Sequence, residues 1–64
     1  MTEEGAGSLG RAALRIEWAS RALVAAAFDL HAIGATDAGD AIADEAERVE
    51  GLAAQVRKLA KVEA

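Results

Sequence analysis

Four large aliphatic residues recur at every seventh position, Leu9, Ile16, Leu23 and Leu30. Seven residues are close to two helical turns, so this spacing keeps all four on one stripe of an α-helix. A second series three residues on, Ala12, Ala19, Ala26 and Ile33, follows the same period. Bulk at one position and alanine at the other lets two backbones approach, with large and small layers alternating. The chain contains no proline to interrupt the pattern. The spacing predicts a helix over 9–33, with Ser8 as its N-cap and Gly34 at the position just past its end. Residues 1–7 are glycine-rich and aperiodic, and the expectation for them is a flexible N-terminal tail.

The segment after Gly34 restarts as a helix. Thr36 or Asp37 suits an N-cap, and Asp37 and Asp40 suit the positive end of a helix dipole. Arg57, Lys58 and Lys61 crowd the far end, where cations are favoured. A helix over 37–62 follows, with a turn at 34–36. So short a link makes the two helices antiparallel neighbours. The expected fold class is therefore all-α, an antiparallel helical hairpin that dimerises into a four-helix bundle.

A chain of 64 residues buries a small fraction of its surface and needs a staple or a partner. Cysteine is absent, which excludes disulfides and thiolate metal sites, and one histidine argues against an all-protein zinc site. Association is what remains. The sparse aromatic content argues against a β-domain. The net charge of −4 argues against nucleic acid as a partner. The longest apolar run, Ala22 to Phe28, is far short of the roughly 20 residues of a membrane span. Glu3 and Glu4 do not resemble the start of a secretory leader, so a cytoplasmic protein without a membrane partner is the expectation.

Helix two carries one apolar stripe, including Ala38, Ile42, Ala46, Val49, Leu52, Ala53, Val56, Leu59 and Ala60, with Asp40, Asp44, Glu47, Glu50, Arg57 and Lys61 on the other side. Helix one carries two, because Leu14, Trp18, Ala25 and Phe28 fall almost opposite the heptad stripe, and Val24 widens that line. A single neighbouring helix covers one side only. The second side marks a contact surface, with a protein partner expected on the Leu14, Trp18 and Phe28 face. The expected interface thus combines Leu9, Ile16, Leu23 and Leu30 with Leu14, Trp18 and Phe28 on helix one, and Ile42, Val49, Leu52, Val56 and Leu59 on helix two. Basic residues gather toward the open end of the hairpin and acidic ones toward the turn. That segregation favours an antiparallel homodimer over a parallel one.

Chemistry-bearing residues are few. His31 sits in the last turn of helix one, where its cation opposes the dipole. Glu45 falls inside the apolar stripe of helix two, either at its edge or paired within a contact. Glu17 and Arg21, like Asp44 and Arg48, have the favourable i, i+4 order. There is no Glu-x-x-His pair, no phosphate-binding glycine loop, and the only serines are Ser8 and Ser20, without a nearby His–Asp set. Gly39 and Gly51 weaken helix two, either to permit close approach or because an exposed face tolerates them. The expectation is a small non-enzymatic oligomerisation or protein-interaction module, a regulatory adaptor or a small subunit, with no cofactor and no metal. The alternative is a metal- or small-ligand-binding bundle whose site, drawn from Glu17, His31, Glu45 and Trp18, forms only in the oligomer.

Overall fold

The computed structural model describes residues 2–63, with side chains as far as Lys61. Helix α1 runs Glu3–Ala32 and helix α2 runs Thr36–Glu63, folded back on each other as an antiparallel hairpin with no strand among the described residues. With 30 and 28 residues at 1.5 Å each, they form rods of about 45 and 42 Å. The Cα atoms span 48 × 13 × 9 Å. Neither helix is long and apolar enough to cross a membrane.

The first helix starts at Glu3, earlier than the Leu9 expected with Ser8 as cap, and takes in most of the stretch assigned to a flexible tail. Met1, the first residue of that expected tail, lies outside the described residues. The cap is Thr2, in extended backbone, whose hydroxyl accepts from the Gly5 N–H at 3.1 Å. Glu3 and Glu4 fill the first turn, where negative charge is stabilising. Ser8 instead accepts a hydrogen bond from the Arg11 side chain at 3.1 Å.

The turn follows from one glycine. Gly34 takes φ +83°, a left-handed conformation that side chains with a Cβ rarely adopt. This lets the Gly34 N–H bond the His31 carbonyl and the Ala35 N–H bond the Leu30 carbonyl, at 3.0 and 2.9 Å. Two such bonds satisfy the carbonyls that a helix end leaves open. Ala35, rather than Thr36 or Asp37, precedes α2, and its carbonyl accepts the first helical bond from Gly39 at 2.9 Å.

The seam between the helices is made of small residues. Ala13, Ser20 and Ala27 of α1 are buried, as are Gly39, Ala46 and Ala53 of α2. Both sets recur every seven residues. The small series of α1 is therefore Ala13, Ser20 and Ala27, four residues after the large ones. The expected series three residues after them differs, with Ala12 and Ala19 exposed, Ala26 half-buried and Ile33 79% exposed. The direction in which α2 crosses α1 decides between the two series. The Ser20 hydroxyl donates to the Ala46 carbonyl at 2.9 Å, so the one polar side chain in the seam is satisfied.

Gly39 is a close-approach position. A Cβ built there would lie 2.6 Å from the His31 ring, which covers it. Gly51 has open space around it and lies on an exposed part of α2. Gly51→Ala should therefore raise stability by about 1 kcal/mol, the helix-propensity difference alone, as a higher midpoint in thermal unfolding.

Candidate interaction surface

The seam residues set the geometry of everything outside it. At 3.6 residues per turn, Leu9, Ile16, Leu23 and Leu30 lie about 50° to one side of the buried Ala13, Ser20 and Ala27, while Glu17, Val24 and His31 lie about 50° to the other. On α2, Ile42, Val49 and Val56 stand in the same relation to Gly39, Ala46 and Ala53, with Ala43, Glu50 and Arg57 opposite. Because the helices are antiparallel, equal rotations lead to the same side of the hairpin.

One side is polar and cross-linked. Glu17 accepts from Arg57 across the two helices. The His31 Nε2–H donates to Asp40 Oδ1 at 3.0 Å. Shallow grooves on this side are lined by Glu17, Ser20, Arg21, Val24 and Glu50, and by Val24, Ala27, Phe28, His31 and Ala43. The Arg57 guanidinium bonded to Glu17 holds that carboxyl below the usual glutamate range, and Arg48 does the same for Glu45.

These depressed carboxyls set a direction for pH dependence. Stability from such a pair is complete above the unfolded glutamate value, about 4.3. It is lost as pH falls through the lower folded value, where the carboxyl takes up a proton. Thermal midpoints should therefore drop between about pH 5 and pH 3, and Arg57→Gln should drop less than the parent. The difference will be small, because both pairs are exposed to solvent screening.

The opposite side is apolar. Leu9, Ile16, Leu23 and Leu30 are all half-buried along it, as are Ile42, Val49 and Val56. Outside them stand Ala12, Ala19, Ala26 and Ile33 on α1, and Ala38, Leu52 and Leu59 on α2, with Leu52 and Leu59 counted among the exposed large residues. Glu45 is the only charged residue in these rows among the described side chains. It accepts a hydrogen bond from Arg48 on the same helix.

Leu14, Trp18 and Phe28 are also exposed, at 43, 56 and 70%, on the outer edge of α1 almost opposite the apolar side. They do not form one patch. Phe28 is ten residues, about 15 Å, beyond Trp18, and Arg21 stands between Leu14 and Phe28 on the same line. The twelve residues expected at an interface thus separate. Nine line the apolar side, and Leu14, Trp18 and Phe28 lie away from it. Sequence reasoning passed over the seam formed by Ser20, Ala46 and their neighbours. The signal was present in the matching periods of Ala13, Ser20, Ala27 and Gly39, Ala46, Ala53.

Comparison with protein families, curated proteins and solved structures finds no match. The candidates for a metal or ligand site are not brought together either. Glu17 pairs with Arg57, His31 with Asp40 and Glu45 with Arg48. No cluster of three metal-ligating side chains occurs among the described residues.

Proposed function

We propose that this chain is a non-enzymatic association module, a small helical unit that acts by packing against further helices, beginning with those of its own copies. One observation carries the reading: no large side chain among the described residues is fully buried, and the buried set consists of alanines, Ser20 and Gly39. An alanine methyl contributes about 0.8 kcal/mol on burial, against about 1.5–3 kcal/mol for a fully buried leucine or isoleucine. The leucines and isoleucines of this chain therefore have most to gain from a second surface. Soluble chains seldom leave a contiguous apolar side of this kind in water. The Leu14, Trp18 and Phe28 edge stays outside that contact and is the surface left for a different protein.

Sedimentation over a range of concentrations tests the reading. The expected result is a mass above 6.6 kDa at micromolar concentration, with a melting temperature that rises with concentration, as mass action requires. A folded, helical monomer whose melting temperature ignores concentration would overturn it.

A further inference from the structure

Resting on the reading of the chain as a self-associating module, we infer that two copies pair through the apolar side, antiparallel, about a two-fold axis at the level of Ala19 and Val49. The large series of α1, Leu9, Ile16, Leu23 and Leu30, is centred between residues 19 and 20. The large series of α2, Ile42, Val49 and Val56, is centred on Val49. Nothing in a hairpin requires these centres to coincide. Here they fall within one turn of each other, because the Ser20 hydroxyl reaches the Ala46 carbonyl and so places residue 20 near Val49.

A two-fold axis lying in the apolar side, across the helices, sets α1 on α1 and α2 on α2. Leu9 then meets Leu30 of the second copy, Ile16 meets Leu23, and Ala19 faces Ala19. On α2, Ile42 meets Val56 and Val49 meets its own copy. Each residue of these two series meets another bulky one, while in the outer row Leu52 comes against Glu45 and Leu59 against Ala38 of the second copy. An isologous contact needs a surface that is complementary to itself under rotation, and this one is.

Area and charge agree with that occupant. A compact monomer of 6.6 kDa exposes about 3,900 Å² by the size scaling of folded proteins, and this chain exposes 4574 Å². The excess, about 700 Å², is close to the roughly 800 Å² that each partner buries in a standard interface. The half of the hairpin near the turn carries Asp29, Asp37, Asp40, Asp44, Glu45 and Glu47, with Arg21 and Arg48 as its only arginines. The other half carries Arg11, Arg15, Arg57, Lys58 and Lys61 together with Glu3, Glu4, Glu17, Glu50 and Glu63, so its formal charges balance. An antiparallel pair sets the acidic half of one copy against the balanced half of the other, whereas a parallel pair sets the two acidic halves together. Glu45, a carboxylate within the contact, already holds Arg48 of its own chain.

The absence of cysteine makes single cysteines clean reporters of position. Ala19→Cys, exposed on the apolar side, should link to its own copy under mild oxidation and double the mass on a denaturing gel. Ala12→Cys should stay unlinked alone, because its copy would lie about 21 Å away along the helices. It should link to Ala26→Cys when the two variants are unfolded and refolded together. Ala25→Cys, on the Trp18 edge, should stay unlinked. An associated parent in which Ala25→Cys links and Ala19→Cys does not overturns this face and leaves the association reading standing. Linking of Ala19→Cys without the mixed Ala12–Ala26 product overturns the antiparallel sense. A monomeric parent removes both readings. Sedimentation of each reduced variant confirms that the substitution itself has not broken the assembly.

Discussion

Ala53→Leu should lower the melting temperature of the hairpin by on the order of 10 °C. Ala53 is fully buried in the seam, as is Ala13, which lies at the same level by the register of the Ser20–Ala46 bond. Three added carbons have no space there, and the small residues above and below hold the backbones at the separation that excludes them. Overpacking of this kind costs typically 1–3 kcal/mol. In a domain of this size each kcal/mol moves the midpoint by roughly 4–8 °C. Ala54→Leu, one position along and exposed, is the control, and should fall within about 0.5 kcal/mol of the parent. If Ala53→Leu melted with the parent, the helices would have to be farther apart than a seam of small residues implies.

Leu23→Asp should abolish self-association while leaving a helical chain. Leu23 is half-buried beside the seam and stands near the middle of the apolar side. A carboxylate there enters the contact without a partner, and by symmetry it enters twice. An uncompensated charge in an interface costs roughly 3–5 kcal/mol. At about 1.4 kcal/mol per tenfold, the association constant should fall by roughly a thousandfold or more. Trp18→Asp is the informative contrast, because it removes the largest exposed side chain and should leave the sedimenting mass unchanged. The opposite outcome, with Trp18→Asp monomeric and Leu23→Asp still associated, would place the contact on the outer edge of α1.

The hairpin was legible because its signals are local. Heptad spacing set the first helix, capping residues and end charges set the second, and Gly34 marked the stop through a backbone conformation that depends on that residue alone. The start of α1 was not legible in the same way. Glycines at positions 5, 7 and 10 lower helix propensity, and that outweighed the Thr2 cap and its two following glutamates when the residues were read singly. The seam was ambiguous for a different reason. Alanine occurs both three and four residues after Leu9 and after Leu23, so Ala12 and Ala13, or Ala26 and Ala27, satisfy one period equally. Only the crossing helix chooses between them. That choice rotates the large residues out of the hairpin and onto its surface, which no pattern within α1 records. The exposure of Leu14, Trp18 and Phe28 was readable, but their separation along the edge required counting the rise between them.

A zipper of alanines repeats itself every seven residues, so sliding one strand of it by a heptad, about 10 Å, would restore the same methyl contacts. Ser20 breaks that degeneracy. Its hydroxyl has an acceptor at one setting, and a shifted pairing would bury it against methyl groups or leave it open to water. One oxygen therefore helps, together with Gly39 under the His31 ring, to distinguish the native alignment from its translational copies, in a contact whose remaining teeth are interchangeable alanines.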